Sequence, residues 1–156
     1  MRACAGFRYA AALLLAGVML AAGGSPAAAA EYAVIVNAAN PDAGKGEALR
    51  EVVKRLFLKE QTTWPSGTPA QPLARPADSP AQKAFVAKVL GMDQAALDQH
   101  WLRLKQTKGE TPPREVGSAL ILTRLVSKYE GAFSVVSAEE AAALPEGVAV
   151  LFRFTD

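Results

Sequence analysis

The sequence predicts an α/β domain in which helices cover both faces of a small mixed sheet, in three layers. Two observations support this prediction. Short apolar runs rich in β-branched residues alternate along residues 31–156 with segments whose apolar residues recur at helical spacing. Proline, glycine and capping residues separate these segments, which gives the order β-α-β-α-α-α-β-α-β. Residues 31–156 are long enough for one modest domain.

The first thirty residues differ from the rest and have the layout of a secretory signal peptide. Arg2 and Arg8 precede an unbroken apolar run over residues 10–22, and three alanines at 28–30 offer a small-residue cleavage site. The run is shorter than the ~20 residues that a membrane-spanning helix needs, and no cysteine follows it to carry a lipid. We therefore expect cleavage after Ala30 and an exported periplasmic domain over residues 31–156.

Charge and cysteine content exclude several classes of function. The whole chain has 17 Lys and Arg against 15 Asp and Glu, but two of the arginines lie in the predicted signal peptide. The exported domain is therefore formally neutral, without the basic surface that nucleic-acid binding requires. Cys4, the single cysteine, also lies in the signal peptide. The domain is thus predicted to lack a disulfide, a thiol nucleophile and a thiolate metal site, and we expect no cofactor and no metal.

The first half of the domain reads as a strand, a helix and a proline-rich loop. Residues 32–37 form a short β-branched run that is typical of a buried strand, and a turn follows at 40–42. A helix is predicted next, because apolar residues recur along one face: Leu49, Val52, Val53, Leu56 and Phe57. Residues 65–80 are rich in proline, with room for one short strand at 70–75.

Capping signals divide the second half into helices and strands. Ser79, Pro80 and Gln82 form a capping-box pattern at the start of one helix; Gly91 ends it and Asp93 caps another. A polar loop covers 108–113. Ser118 caps a helix whose predicted apolar face is Ile121, Leu122, Leu125, Val126 and Tyr129. Strands are predicted at 132–136 and 148–154, separated by a short helix with a capping box of Ser137 and Glu140.

The sequence contains no recognisable motif of catalytic residues, and we therefore expect that the protein is not an enzyme. The single histidine, His100, lies on a predicted amphipathic helix beside Trp101 and has no second histidine with which to form a zinc motif. Glu139 and Glu140 are adjacent, so they point to different sides of a helix and cannot act as an acid–base pair. The sequence also lacks a nucleophile elbow and a P-loop.

Two junctions place a basic residue and a hydroxyl ahead of a helix, where an anion could bind. Arg75, Asp78 and Ser79 lead into the helix at Pro80, and backbone amides, the helix dipole and a guanidinium together favour an anion. Arg114 and Ser118 offer a second junction of the same type. The simpler interpretation is that both serines only cap their helices and that the arginines are solvated.

Several segments in order resemble a known family. They are VIVNAANP (34–41), FLKEQTTWPSG (57–67), RPADSPAQKAF (75–85), LGMDQAALDQHW (90–101) and VGSALILTRLVSKYEGAFSVVS (116–137). Their succession resembles the phosphate-binding-protein-like branch of the type II periplasmic binding proteins, the substrate-binding components of phosphate ABC transporters. The resemblance covers nearly all of residues 31–156.

The resemblance implies a single lobe of a two-lobed binding protein, with phosphate or a similar oxyanion as a weakly bound ligand. In the family an Arg, an Asp and a Ser-Gly-Thr at a helix start hold phosphate; the matching residues here are Arg75, Asp78 and Ser79. Pro80 stands where the family has Gly and removes a backbone donor, and Ala81 stands for Thr and removes a hydroxyl. Trp64 is expected to seat the proline-rich loop.

The resemblance leaves two functions from different classes open. The first is a periplasmic solute-binding domain that serves an ABC transporter. The second is a non-catalytic module that has lost its ligand and acts on a transporter or an envelope sensor protein. Whether two chains pair as a homodimer to rebuild a cleft is also left open.

Overall fold

A five-stranded mixed sheet runs through the centre of the computed structural model, which describes residues 28–156. The predicted signal peptide, 1–30, lies outside the described residues except for 28–30. The strands are β1 (Glu31–Asn37), β2 (Gln71–Ala74), β3 (Arg114–Glu115), β4 (Ala132–Ser137) and β5 (Val148–Thr155). The helices are α1 (Arg50–Phe57), α2 (Pro80–Phe85), α3 (Gln94–Lys108), α4 (Ala119–Lys128) and α5 (Ala138–Ala141).

Two helical segments of other types complete the chain. A 3-10 segment, Ala43–Leu49, leads into α1, and a π-helical segment, Val86–Leu90, continues α2. Gly91 ends this second segment with a left-handed backbone (φ 69°), as predicted. In the part of the chain that the structure describes, no helix is both long enough and apolar enough to cross a bilayer.

The strand order is β3-β2-β4-β1-β5. Strands β3, β2 and β4 are parallel to one another, whereas β1 runs antiparallel to both β4 and β5. Parallel neighbours need a crossover connection, and helices supply it here. The mixed sheet that the sequence predicts is therefore confirmed.

Alternating side chains of the central strands point into two separate cores, one on each face of the sheet. On β1, Tyr32, Val34 and Val36 pack with α1, α2 and α3, whereas Ala33 and Ile35 pack with α4 and α5. This alternation follows from the two-residue period of a strand. Both sets are buried, and the predicted three-layer arrangement is confirmed.

The structure differs from the sequence-based description at two elements. Strand β3 was not predicted, because two residues, Arg114 and Glu115, carry no apolar alternation and both are exposed. On α4, Leu122 and Val126 are buried as predicted, but Ile121 is 49% exposed and Tyr129 is 37% exposed. The predicted face was too wide: a ten-residue helix against one side of the sheet buries a narrower stripe.

The predicted caps are present, with one difference. Ser79, Asp93, Ser118 and Ser137 each accept a hydrogen bond from a backbone N–H in the first turn of the helix that follows. Ser137 and Glu140 form the predicted reciprocal capping box. The box predicted at Ser79 is only half formed, because the Gln82 side chain accepts from the backbone N–H of Arg75 (3.0 Å) instead.

The proline-rich loop is held to the sheet by Trp64, as the sequence suggests. Its indole Nε1 donates to the carbonyl oxygen of Gly131 at 3.0 Å, and its ring lies edge-on to Phe133 with 5.4 Å between centroids. Trp64 is 1% exposed. A ligand has no access to a ring that is covered to this degree.

Candidate functional site

The three parallel strands deliver three loops to one end of the sheet. Arg75 follows β2, Val116 follows β3, and Ser137 ends β4. The N–H of Val116 donates to the carbonyl of Ala74 at 2.8 Å, so the first two loops leave the sheet side by side. Gly117 lies so near Pro76 that a Cβ atom there would be 3.7 Å from the Pro76 Cγ.

The helices that follow these loops pack on different faces of the sheet. The helix after β2 packs on the face that holds α1 and α3, whereas the helices after β3 and β4 pack on the opposite face. A crevice forms where neighbouring parallel strands send their helices to opposite sides, and α/β proteins bind ligands at such points. The structure thus brings the segments 75–79 and 116–118 to one location that the fold itself favours for binding.

Arg75 is the central residue of this location. Its side chain is 9% exposed, and Nη2 donates to Oε1 of Glu140 at 2.9 Å. The other carboxylate oxygen of Glu140 accepts from the backbone N–H of Ser137 at 3.0 Å. The ion pair therefore joins the end of β2 to the start of α5.

Two nitrogens of Arg75 are left without a partner. Nε and Nη1 are buried, and neither makes a hydrogen bond to the described residues. A buried polar group without a partner costs free energy, and such groups are few in folded proteins. A buried guanidinium with unused N–H groups can donate charge-assisted hydrogen bonds to a carboxylate or an oxyanion.

Asp78 and Ser79, predicted to share this site, follow Arg75 in the loop that leads to α2. Ser79 Oγ accepts from the N–H of Gln82 at 3.3 Å, so its oxygen caps α2. Asp78 is exposed. We expected the Arg75 guanidinium to approach the start of α2; among residues 28–156 its bonded partner is Glu140 at the start of α5 instead. The reason is the parallel pairing of β2 with β4, which places a carboxylate beside it.

The second predicted junction is separated by the structure. Ser118 Oγ accepts from the N–H of Ile121 at 3.4 Å and caps α4. Arg114 pairs with Leu73 in the short β3 strand and lines an open depression together with Lys59 and Gln71. Arg114 therefore belongs to strand β3 and not to the loop that leads into α4.

A cleft with a volume of about 210 Å³ opens beside Arg75. It lies between α3 and the strands β2 and β3. Its apolar lining includes Phe57, Leu97, Trp101, Pro112 and Pro113. Its polar lining consists of Arg75, Gln82, Gln94, Asp98 and Glu115.

His100 and the acidic side chains do not form a metal centre in the described part of the chain. No group of three or more His, Cys, Asp or Glu side chains is close enough there to hold an ion. His100 is half-buried, and its Nε2 lies 2.9 Å from the carbonyl oxygen of Leu58. The position agrees with the structural role that the sequence suggests for it.

Sequence analysis missed the residues that complete the site around Arg75. Glu140 was assigned to capping, which it does, but its second role as the partner of Arg75 was not foreseen. The cleft residues Asp98 and Trp101 lie on α3, far from Arg75 in the sequence. Glu140 comes close to Arg75 because β2 and β4 run parallel, which brings together the residues that follow the two strands.

Comparisons with solved structures identify the fold. An ABC-type phosphate transport receptor from Vibrio cholerae superposes with a TM-score of 0.53 and 19% identity, over 79% of this chain and 47% of that chain. A candidate phosphate ABC transporter substrate-binding protein from Clostridium perfringens, solved with bound phosphate, gives 0.56 and 18%, over 78% and 45%. A candidate phosphate-binding protein from Planctomyces limnophilus gives 0.54 and 15%, over 79% and 42%.

This chain therefore has the fold of part of a phosphate ABC transporter substrate-binding protein, and it spans less than half the length of these structures. At this identity the likeness concerns the fold and not the ligand. No protein-family model matches the sequence, and no curated protein matches it.

Proposed function

We propose that this chain is a solute-binding domain that holds a small oxyanion through Arg75 at the carboxyl ends of β2, β3 and β4. Asp78, Ser79 and Ser118 lie on the loops around this point, and the hydroxyls of the two serines keep a donor hydrogen while their oxygens cap helices. Arg114 is not needed in this arrangement, because it lines a separate depression with Lys59.

The observation that carries the proposal is the state of the Arg75 guanidinium. A purely structural arginine satisfies its donors with protein groups, whereas Nε and Nη1 of Arg75 have no partner among the described residues. The fold likeness supports an oxyanion as the class of ligand, since one of the similar solved structures holds bound phosphate.

The affinity is expected to be weak. A charge-assisted hydrogen bond from the Arg75 guanidinium contributes about 1.5–3 kcal/mol net, and this gain is offset by the cost of immobilising a ligand. Glu140 already neutralises Arg75, so an incoming anion must also share the guanidinium with a carboxylate. A binding free energy of about −4.1 kcal/mol corresponds to a dissociation constant of about 1 mM, and we therefore expect dissociation constants in the millimolar range.

The proposed setting is the bacterial periplasm, with an ABC transporter as the partner to which a solute is delivered. This part of the proposal rests on the signal-peptide pattern of residues 1–30 and on the transporter components among the solved relatives.

Calorimetric titration with phosphate, sulfate and acetate tests the anion site. Arg75→Met should abolish binding, because it removes both unpaired nitrogens. Glu140→Gln should tighten binding, because it removes the competing charge; its one amide oxygen can accept from either Nη2 of Arg75 or the N–H of Ser137, and the variant serves as a second test if Arg75→Met does not fold. The control is Lys128→Ala, at the end of α4 opposite Ser118, which should bind like the parent.

The outcomes separate a binding site from a structural ion pair. Tighter anion binding by Glu140→Gln together with an unchanged Lys128→Ala supports the proposal. If none of the three anions binds to the parent or to Glu140→Gln, Arg75 is a structural residue and the proposed function is wrong.

A further inference from the structure

We propose that the cleft beside Arg75 takes a small organic zwitterion of amino-acid size, and not an inorganic oxyanion. This inference rests on the proposed function, because the carboxylate of the zwitterion occupies the anion position at Arg75. The remaining parts of the ligand are assigned from the other lining residues of the cleft.

The charges around the cleft disfavour a ligand with a net negative charge. Arg75 is its cationic lining residue, and the carboxylate of Glu140 lies 2.9 Å from the guanidinium. Asp98 and Glu115 add two further carboxylates to the lining. A phosphate or sulfate ion would gain Arg75 but would also meet three acidic groups, and like charges in a partly desolvated site repel.

The same acids favour a ligand that carries an ammonium group. Asp98 and Glu115 are exposed at the cleft, and Oδ1 of Asp98 is held by a hydrogen bond from Nε2 of Gln94 at 2.8 Å. A carboxylate fixed in this way can accept a further bond from an ammonium. A ligand with a carboxylate and an ammonium group is formally neutral and can pair with both the guanidinium and the carboxylates of the cleft.

The apolar lining of the cleft favours a ligand with an aliphatic or aromatic side chain. Phe57, Leu97 and Trp101 are all buried below 8% exposure and form its floor. An inorganic ion leaves this surface without a partner, whereas an aliphatic or aromatic side chain covers it and gains from the contact. The volume of about 210 Å³ is smaller than the ~300–1,000 Å³ of sites for drug-sized ligands, so a small metabolite fits.

Access to Arg75 requires a small movement of the cleft wall. Nε and Nη1 are covered by protein, so a carboxylate reaches them only after part of the adjacent wall shifts. Ala77 lines the cleft and belongs to the exposed loop that follows Arg75. Exposed loops are the parts of a domain that move at a low cost in free energy.

Calorimetry with matched compounds tests the ligand class. Leucine and 4-methylpentanoate share a carboxylate and an isobutyl group, and differ by the ammonium group. Leucine should bind about 5- to 10-fold more tightly, since each partly exposed ion pair contributes up to about 1 kcal/mol, a factor of about five. Asp98→Asn combined with Glu115→Gln should remove this preference; both positions are exposed, so the fold should survive. The control is Glu139→Gln, an exposed acid that does not line the cleft.

Each outcome decides one of the two proposals. A preference for leucine that the double variant abolishes and Glu139→Gln keeps supports the zwitterion. Equal binding of leucine and 4-methylpentanoate, or binding of phosphate without either compound, overturns the zwitterion and leaves the anion site at Arg75 standing. If leucine, 4-methylpentanoate and phosphate all fail to bind, both the zwitterion proposal and the proposed anion site are wrong.

Discussion

The carbonyl oxygen of Gly131 accepts a hydrogen bond from the indole N–H of Trp64 at 3.0 Å. Gly131 also packs closely against the carbonyl group of Pro69. The loop between α1 and β2 is thereby fixed to the beginning of β4, which aligns β2 beside it. Position 131 permits this approach because glycine has no side chain. The register of β2 against β4, and with it the position of Arg75, depends on this contact.

Gly131→Ala is expected to destabilise the protein strongly. A Cβ atom at this position would lie 1.7 Å from the Pro69 carbonyl oxygen and 2.8 Å from its carbon, so the backbone of the loop must move. We expect a loss of more than about 2 kcal/mol of unfolding free energy in urea denaturation. Gly44→Ala is the matched control: a Cβ atom there meets nothing within 4 Å. Equal stability of the two variants would show that the loop is not held against β4.

Phe57→Ala should remove the centre of an aromatic cluster. The Phe57 ring is 3% exposed and lies 5.0 Å from Phe85 and 6.4 Å from Trp101, centroid to centroid. Truncation of a buried Phe typically costs about 3–5 kcal/mol, which chemical denaturation measures directly. Leu102→Ala, at a position that is 56% exposed, should stay within about 0.5 kcal/mol of the parent. A Phe57→Ala protein as stable as the parent would contradict the assigned packing of α1.

The stability of the protein should fall in acid partly because of Asp42. Burial of this carboxyl would raise its pKa, but hydrogen bonds from Lys45 and Ser66 outweigh burial and hold the pKa below its ordinary value. A lowered pKa in the folded state means that the contribution is present above the unfolded pKa of about 3.9 and is lost as the pH falls through the folded pKa.

Asp42→Asn should therefore lower the melting temperature at pH 7 by a few degrees and flatten its decline between about pH 5 and pH 2. The amide oxygen can still accept from the N–H of Ser66, which Asp42 binds at 2.9 Å, so the turn itself should survive. Lys45→Met removes the other partner and should act in the same direction. A parent and an Asp42→Asn protein with parallel pH profiles would refute this role.

Processing of residues 1–30 can be checked on exported protein. Mass spectrometry of the periplasmic fraction should find an N-terminus at or near Glu31, the first residue of β1. A cut a few residues earlier agrees with the prediction, because small residues also precede Ala30. Recovery of the uncut chain in the membrane fraction would contradict it.

Most elements of the fold could be predicted because their signals are local. The capping serines, Gly91 and the apolar runs of β1, β4 and β5 each act within a few residues, and the structure places elements where they indicate. Strand β3 could not be predicted, since its pairing with Leu73 and Ala74 is a tertiary contact without a sequence pattern.

The candidate site was predicted less completely for the same reason. Arg75 was predicted as a residue ahead of a helix start; the structure places it after β2, and its bonded partner is decided by which strand lies next to β2. Glu140 is 65 residues away in the chain, and no local pattern links the two. Exposure of Ile121 likewise depends on how α4 rests on the sheet, which periodicity alone does not determine.

The strand order has a consequence for the way in which the chain acquires its structure. β1, near the start of the domain, pairs only with β4 and β5 among the described strands, and these lie at the other end of the chain. Strand β1 therefore remains without a neighbour until β4 has been synthesised, and loop closure over such a span is slow. We expect a nascent chain with this topology to fold slowly, and an unfolded polypeptide is the form that can be threaded through a narrow translocation pore.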